Sequence, residues 1–353
     1  MKAIVKTKKA HGAELIDLDI PEPKLDEVLI KPKAVSICGT DVHIYNWDSW
    51  AQARVKGIPQ VLGHEFSGEI VATGSEVKKF KVGDFVSAET HIFCGKCVQC
   101  QNDQKNLCSD LKILGVDCDG CFAEYIALPE KILWKNDLGI SPEIASLQEP
   151  LGNANYCALA DGENLNGKTV LIFGDGPTGL FAAGVAKAEG ALTVILVGEN
   201  KKCLKIAKKM GADFTIRYAP ERDIVKLVLD YTKGYNPDIV LEMAGAPAAI
   251  ELAFKLVRKG GRISAFGIPT EKITLNYTDS IIFKGVKVFG ISGRKIWQTW
   301  EKVSDLLKSG RIDISPVITH KLPMKDFEKG FNLMTARPKV SAKVILYPQK
   351  GEE

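Results

Sequence analysis

Residues 169–180, TVLIFGDGPTGL, join a buried apolar run to a glycine-rich turn and the start of an apolar helical segment. The turn has the spacing G-x-G-x-x-G, which is informative because it lies directly between a strand and a helix. The first glycine permits a tight turn, the second lets the backbone approach a pyrophosphate, and the third lets the helix pack closely on the strand. The sequence therefore predicts a dinucleotide site at this helix N-terminus. Its predicted contacts are Gly174, Gly176, Pro177, Thr178 and Gly179.

Strands and helices alternate after this turn. Helical stretches separate the first four strands, and this order is typical of a doubly wound parallel sheet. Residues 151–292 are therefore predicted to form a Rossmann dinucleotide-binding domain. The last strand, Val286–Ile291, is expected at the sheet edge, where it could pair with the same strand of a second subunit. The further predicted strands are Thr193–Val197, Asp238–Glu242, Arg262–Phe266 and Val286–Ile291.

The chain on either side of this domain has another pattern. Residues 1–150 contain short β-rich pieces broken by glycine and proline turns, and no strand–helix alternation. Lys2–Lys6, Val28–Val35 and Phe85–Ala88 are examples. The segment 293–353 contains an amphipathic helix and a final strand, Val340–Tyr347, and is predicted to return to the first domain. The predicted fold class is α/β, with a β-rich domain followed by a Rossmann domain.

The end of the second Rossmann strand bears on the choice of dinucleotide. An acidic residue there accepts from the ribose 2′-hydroxyl of NAD and repels the 2′-phosphate of NADP. This chain has Gly198 at that position and Glu199 one residue later. The glycine leaves room for a phosphate, with which Lys201 or Lys202 could pair. Because Glu199 would oppose a phosphate, NAD is favoured, and NADP stays an open alternative.

Four cysteines, Cys94, Cys97, Cys100 and Cys108, have the spacing C-x2-C-x2-C-x7-C. Two-residue gaps let one loop supply three of the four thiolates of a tetrahedral zinc site. Disulfides fit less well, because the chain has an odd total of nine cysteines and no apparent secretory leader. An iron–sulfur cluster also uses four thiolates, but its bacterial pattern closes with x3-C-P. A closed four-thiolate zinc would be structural.

A second metal site is predicted around His64 and Glu65, which follow one another on a turn. Cys38 lies upstream as a possible sulfur ligand. One cysteine, one histidine and an oxygen donor leave a zinc position open, as a catalytic Lewis acid requires. A core histidine beside a surface glutamate would be the commoner explanation of an isolated His-Glu pair. The run Cys38–His43, considered together with the dinucleotide turn and the cysteine spacing, favours the metal.

Composition excludes several classes of protein. The chain has 47 basic and 43 acidic residues and a formal charge of +4, without the dense basic run of a nucleic-acid groove. No run of 18 apolar residues predicts a membrane span. The charged stretch Met1–Lys9 does not resemble a leader, so a cytoplasmic location is expected.

The segment Gly63–Val77 matches the signature G-H-E-x2-G-x5-G-x2-V. With the cysteine spacing and the glycine turn, this segment resembles the zinc-dependent medium-chain alcohol and polyol dehydrogenases along essentially the whole chain. The resemblance is strongest to the branch that oxidises threonine. It rests on residues 38–47 (CGTDVHIYNW), 90–92 (THI), 152–154 (GNA), 291–294 (ISGR) and 316–320 (PVITH).

The resemblance implies a role for each matching position. Cys38, His64, Glu65 and Glu149 would hold the catalytic zinc, and the four-cysteine loop would hold a structural one. Thr40 and His43 would carry the alcohol proton to solvent, and His91 would lie by the substrate. Glu199 and Ile291 would approach NAD, and Gly198 departs from the usual acid. The first domain would be GroES-like and catalytic, with two zinc ions per chain.

The resemblance further implies a zinc-dependent oxidoreductase that transfers hydride from a secondary alcohol to NAD or NADP, with a small-molecule substrate and a homotetrameric assembly. The threonine branch implies oxidation of the β-hydroxyl of L-threonine to 2-amino-3-oxobutanoate. A polyol, sugar or sugar-acid substrate is the alternative within the family. A non-catalytic dinucleotide-binding protein is the alternative of another class. Arg294 is assigned either to the cofactor or substrate carboxylate or to a subunit contact.

Overall fold

The computed structural model describes residues 1–160, 162, 164–269 and 271–349. Positions 161, 163 and 270 of the predicted Rossmann domain and 350–353 of the C-terminal segment lie outside the described residues. The chain divides into two compact units. The first contains Met1–Glu149, Lys295–Trp300 and the chain from Ile318 onward, and the second contains Pro150–Arg294 and Glu301–Val317.

The first unit begins with ten short strands and several helices. The strands are β1 (Lys2–Lys6), β2 (Glu14–Asp17), β3 (Glu27–Ser36), β4 (Gln60–Val61), β5 (Glu65–Thr73), β6 (Phe85–Ala88), β7 (His91–Ile92), β8 (Lys112–Ile113), β9 (Ile126–Pro129) and β10 (Leu133–Lys135). The helices are α1 (Gly39–Asn46), α2 (Ser49–Arg54), α3 (Val98–Gln101), α4 (Pro142–Ser146) and α5 (Gln148–Ala158), which continues into the second unit.

The second unit contains the parallel sheet and the helices that flank it. Its strands are β11 (Thr169–Phe173), β12 (Thr193–Gly198), β13 (Phe214–Arg217), β14 (Ile239–Glu242), β15 (Arg262–Ala265) and β16 (Lys287–Gly290). Its helices are α6 (Pro177–Ala188), α7 (Lys201–Lys209), α8 (Ile224–Tyr231) and α9 (Pro247–Leu256), and most of α10 (Gln298–Lys308) also belongs to it. The chain then returns to the first unit as β17 (Ile318–Pro323), α11 (Phe327–Thr335) and β18 (Lys343–Tyr347).

The main sheet of the first unit brings the two ends of the chain together. Its strands follow the order β10, β6, β5, β3, β18 and β17, and β9 also pairs with β3. The C-terminal strand β18 runs antiparallel to β3, with Ile345 opposite Ser36 and Leu346 opposite Val35. Alternate residues of β3, such as Ile30, are fully buried in the apolar core. This pairing carries residues near position 343 to the ends of β3 and β5, where the candidate metal ligands begin.

The second unit confirms the doubly wound parallel sheet. Its strand order is β13, β12, β11, β14, β15 and β16, and every pairing is parallel. The central strand β11 is almost wholly apolar, because helices cover both faces of such a sheet. The edge strand β16 has mostly exposed residues. The order reverses beside β11, and its carboxyl end is therefore the switch point at which such sheets bind ligands.

Two features differ from the sequence-based expectations. The first unit contains helices α1, α2, α4 and the start of α5, although its pattern predicted only β-rich pieces. Residues 301–317, predicted to return to the first domain, belong to the second unit. Lys302 and Arg311 both pair with Glu189 of that unit, at 3.0 and 3.4 Å, and so attach the segment to it. Within the described residues, no helix combines the length and apolarity needed to cross a membrane.

Candidate active site

Helix α1 begins at the candidate metal ligand Cys38, which is its N-cap residue. The fully buried carboxylate of Asp41 accepts from the backbone N–H of Cys38 at 2.9 Å, as in a capping box. Thr40 and His43 lie three residues apart in the same helix and so share one face. His43 is half-exposed, and its Nδ1 is 2.5 Å from Asp48 Oδ2. A hydroxyl and a half-exposed imidazole thus lie on one face of the helix that follows Cys38.

Cys38, His64 and Glu65 form a compact group in the first unit. One ligand atom from each residue lies within 4.8 Å of the other two. His64 is 5% exposed and Glu65 is fully buried. A thiolate, an imidazole and a carboxylate are the donors that zinc uses, and three protein ligands leave a fourth position for substrate. The residues therefore fit a zinc ion of the catalytic kind.

Asp41 contacts both the Cys38 end of α1 and the segment that carries His64. Its Oδ1 accepts from the backbone N–H of Gly63 at 3.2 Å and lies 3.5 Å from His64 Nδ1. Metal-binding histidines commonly direct their second ring nitrogen at such a carboxylate. Burial opposes a positive charge on His64, but Asp41 and Cys38 outweigh it and raise the pKa of His64 well above its ordinary value. Zinc and a proton would therefore compete for this imidazole.

Ser36 and Lys343 hold the Glu65 carboxylate by hydrogen bonds. Ser36 Oγ donates to its Oε2, and Lys343 Nζ donates to both of its carboxylate oxygens, at 2.6 Å to Oε1. The Lys343 side chain is only 3% exposed. Burial lowers the pKa of Lys343, but the opposing charge of Glu65 more than compensates and raises it. The carboxylate is therefore one half of a buried ion pair as well as a candidate metal ligand.

Glu149 is near this group but outside its 4.8 Å limit among the described residues. The side chain is 6% exposed, and its Oε1 accepts from Thr90 Oγ1 at 3.0 Å. The same hydroxyl lies 3.3 Å from the carbonyl oxygen of His64. Of the four predicted catalytic zinc ligands, the structure brings three together and links the fourth, Glu149, to the backbone of His64 through Thr90.

The fully buried Glu89 organises the segment that carries His91. Its Oε1 accepts from the backbone N–H and from Nδ1 of His91, at 3.0 and 2.7 Å. Its Oε2 accepts from Trp300 Nε1 at 2.8 Å. These donors compensate the cost of burying a carboxylate. They also fix the His91 ring and its Nδ1–H tautomer, so that Nε2 is the ring nitrogen not used by Glu89.

The second candidate centre contains only cysteines. One sulfur from each of Cys94, Cys97, Cys100 and Cys108 lies within 4.8 Å of the other three. Short-range backbone groups support them, for example the N–H of Cys94, 3.3 Å from Cys108 Sγ. Backbone N–H groups of Cys100 and Ser109 lower the pKa of Cys97 to about 5, whereas burial raises the pKa of Cys100 to about 12. Four thiolates without an open position fit a structural zinc.

The glycine-rich turn has the geometry that its spacing predicts. Gly174 has φ +116°, and a Cβ there would lie 3.0 Å from the Met243 carbonyl carbon. Gly176 is the N-cap of α6, Pro177 and Thr178 begin the helix, and a Cβ on Gly179 would collide with the Gly174 carbonyl oxygen. The turn leaves backbone N–H groups at the helix start for an anion.

The other predicted cofactor residues lie in the same unit. Gly198 is the last residue of β12, and Glu199 follows it with an exposed side chain. Ile291 follows β16 and is 8% exposed. Arg294 is fully buried and donates from Nη1 to Asn153 Oδ1 at 2.8 Å, so two of the quoted sequence runs meet. Its burial within one chain disfavours a role in subunit contacts.

Sequence reasoning missed several residues of the site. Asp41 could have been found as an acidic N3 residue behind the N-cap Cys38. Lys343 had a weaker signal, a single charge in the otherwise apolar strand β18, and nothing in the sequence shows its partner Glu65, which lies 278 positions away. Glu89 had the faintest signal, an acid two residues before His91.

Comparison with known proteins agrees with this geometry. Residues 24–138 match the family model described as an alcohol dehydrogenase GroES-like domain, and residues 177–309 match the one described as a zinc-binding dehydrogenase. The chain belongs to the zinc-dependent alcohol dehydrogenase family, and the predicted GroES-like and Rossmann fold class is confirmed. A curated relative from Bacillus velezensis, named L-threonine 3-dehydrogenase, is 49% identical over 99% of each chain.

Solved structures extend the similarity. A zinc-binding dehydrogenase from Sinorhizobium meliloti, bound to NADP, superposes with a TM-score of 0.88 at 29% identity, over 98% of this chain and 99% of that one. An alcohol dehydrogenase from Escherichia coli CFT073, complexed with NADH, gives a TM-score of 0.89 at 29% identity with the same coverage. Both nicotinamide dinucleotides therefore occur among similar structures.

Proposed function

We propose that this chain oxidises the β-hydroxyl of L-threonine to 2-amino-3-oxobutanoate and passes the hydride to NAD. The observation that carries the proposal is the group of Cys38, His64 and Glu65, because it offers an open zinc position within a family of zinc-dependent dehydrogenases. The substrate rests on the name of the Bacillus velezensis relative, at 49% identity over nearly the whole chain.

Zinc, when bound, would act as a Lewis acid and lower the pKa of the substrate hydroxyl, and NAD would accept the hydride. Thr40 Oγ1 accepts the hydroxyl proton and donates its own, since a hydroxyl can do both. The half-exposed imidazole of His43 receives that proton and releases it to solvent, with Asp48 Oδ2 beside its Nδ1. Each turnover thus yields the ketone, NADH and one proton.

The remaining residues bind or orient. Cys38, His64 and Glu65 would hold the catalytic zinc, and Glu149 would be the further carboxylate beside them. His91, held by Glu89, contacts the substrate. Cys94, Cys97, Cys100 and Cys108 would hold the second, structural zinc. The glycine turn would hold NAD, together with Gly198, Glu199 and Ile291 at the carboxyl ends of β12 and β16.

The assembly proposed for this enzyme is a homotetramer in the cytoplasm. The edge strand β16 has mostly exposed residues and is last in the sheet order, where a strand of a second copy could extend the sheet. Four exposed apolar side chains before and within it, Tyr277, Ile282, Phe283 and Val288, support a subunit contact. None of the nine cysteines, all of which lie within the described residues, forms a disulfide, which suits a reducing compartment.

The test is a rate measurement on the purified protein with L-threonine and either NAD or NADP, beside a panel of polyols, sugars and sugar acids. Threonine turnover with two zinc ions per chain is expected. Turnover of polyols alone would overturn the substrate and leave the chemistry. One zinc per chain with no turnover of any alcohol would instead support the non-catalytic dinucleotide-binding protein.

A further inference from the structure

An acid is expected at the end of the second Rossmann strand, where this chain has Gly198. A neighbouring side chain occupies the space that a side chain at this position would need. A Cβ atom built on Gly198 would lie 2.7 Å from both Cγ and Oδ2 of Asp175 and closer still to its Cβ. Carbon atoms do not approach one another so closely without displacement. Gly198 is therefore required by the side chain of Asp175, the second residue of the glycine-rich turn.

The Asp175 carboxylate is fixed in this place. Its Oδ2 accepts from the backbone N–H of Asn200 at 2.6 Å, so it joins the glycine turn to the loop after β12. Glu199 differs in this respect. Its side chain is exposed, and no hydrogen bond or ion pair holds its carboxylate among the described residues.

We propose that Asp175 replaces the missing acid at the end of β12 and makes the site select NAD over NADP. This inference rests on the proposed function in so far as a nicotinamide dinucleotide binds at the glycine turn. At the end of β12, where an acid is usual, this chain has Gly198. The acid is instead Asp175, in the glycine-rich turn. The charge nevertheless occupies the volume beside Gly198 that a strand-end acid would occupy.

The physical basis is the difference between a fixed and a mobile charge. The repulsion between two charges is stronger where the effective dielectric constant is lower. A partly buried carboxylate held by a backbone N–H therefore repels a phosphate more strongly than a carboxylate in water does. The exposed Glu199 can rotate away, and salt screens its charge. Lys201 and Lys202, the candidate phosphate partners, are exposed at the start of α7 and are screened in the same way. The Asp175 carboxylate is therefore the charge that most strongly opposes the 2′-phosphate of NADP.

The test measures binding and needs no threonine. NADH and NADPH are titrated separately into the purified zinc-loaded protein, and dissociation constants are taken from the change in nicotinamide fluorescence. Asp175→Asn retains an oxygen that can accept from the Asn200 N–H but removes the charge. It is expected to lower the Kd for NADPH about tenfold and to change the Kd for NADH much less.

Glu199→Gln is the matched control, because it removes a charge one residue from Gly198 without touching Asp175. It is expected to change the ratio of the two dissociation constants by less than Asp175→Asn does. The proposal is overturned when the ratio is unaltered in Asp175→Asn, or when Glu199→Gln accounts for the whole change.

An exchange of the two residues sharpens the test. Gly198→Asp alone has no room beside Asp175 and is expected to lower the thermal midpoint. In the double variant Asp175→Gly with Gly198→Asp, the acid returns to the strand end, the collision is removed, and NADH preference is expected to recover relative to Asp175→Gly. A double variant that binds both cofactors as Asp175→Gly does would contradict the proposal. Absence of threonine turnover would overturn the proposed substrate while leaving these ratios unaffected.

Discussion

The two candidate metal centres of the first unit are assembled in opposite ways. The four-cysteine centre draws all its ligands from residues 94–108, and nearby backbone N–H groups support the sulfurs. The mixed centre draws on Cys38, His64 and Glu65, and its charge is balanced by Lys343 from the far end of the chain. One local loop can supply all four ligands of a structural metal ion. A catalytic site with an open coordination position needs residues from distant parts of the chain, which only the tertiary fold brings together.

The largest expected effect separates the two centres directly. Cys38→Ser weakens the mixed centre and is expected to reduce kcat/KM for threonine by about 10³-fold or more, since a Lewis acid supplies several kcal/mol at the transition state. The zinc content should fall from two ions to one per chain, and the urea midpoint should change little. Rate, metal analysis and urea unfolding measure the three quantities.

Cys97→Ser is the matched variant in the other centre. It should also lose one zinc, but here the loss lowers stability and the yield of folded protein, because structural zinc contributes to folding. The activity per remaining folded chain should stay near that of the unaltered protein. Equal loss of activity in the two variants would mean that the centres do not differ in role.

Lys343→Met tests the buried ion pair that distinguishes the mixed centre. Glu65 would keep its charge without a partner, and breaking such a pair costs about 3–5 kcal/mol in the free energy of unfolding. Urea unfolding of the protein before and after zinc removal measures it, and the loss should be larger without zinc. Lys321→Met is the control, because its bond to Glu143 is exposed at the lysine end and is worth about 1 kcal/mol or less.

Glu89→Gln tests whether His91 is held for the substrate. The change is expected to lower kcat/KM about 10- to 100-fold, by comparison with the loss seen when a carboxylate that orients a metal-binding histidine is removed. Because Glu89 would act through His91, the loss should not add to that of His91→Asn in the double variant. Full additivity would assign Glu89 a purely structural role with Trp300.

The smallest expected effect concerns the attachment of β18, which carries Lys343 to the mixed centre. Glu143 accepts from Lys321 Nζ at 2.7 Å and from Tyr347 Oη at 2.5 Å. Burial raises its pKa, but these two donors outweigh it and lower the pKa to about 2, from an ordinary value of 4.5. The carboxylate is thus more acidic when folded, and its contribution is present above pH 4.5 and lost as the pH falls toward 2.

Urea unfolding at pH 6 and pH 3 measures this contribution. The unaltered protein should lose about 1 kcal/mol more than Glu143→Gln between the two values, because the group is partly exposed. Identical acid sensitivity in both proteins would show that Glu143 does not attach β18.

The sequence predicted local features of this molecule well. Strands β1, β6 and β11 have the predicted limits, because their apolar residues end at clear turns. The helix expected after the glycine-rich turn, α6, already begins within the turn at Pro177, a residue that is favourable in the first turn of a helix. Helix α1 was missed because its short, mixed pattern has no apolar face.

The candidate site was predictable to the same extent. The cysteine spacing and the glycine turn are complete within short segments, so the sequence alone identifies them. The Lys343–Glu65 pair, the Glu89–Trp300 bond and the contact of Asp175 with Gly198 join residues that are distant in sequence. Their partners depend on strand pairing and side-chain packing, which no local pattern encodes.

Anomalous scattering from a crystal of the purified protein, measured at the zinc absorption edge, tests the difference between the two centres most directly. Two peaks per chain are predicted, one among the four sulfurs of Cys94, Cys97, Cys100 and Cys108 and one between Cys38, His64 and Glu65. A single peak at the four cysteines, with Glu65 paired only to Lys343, would contradict the account.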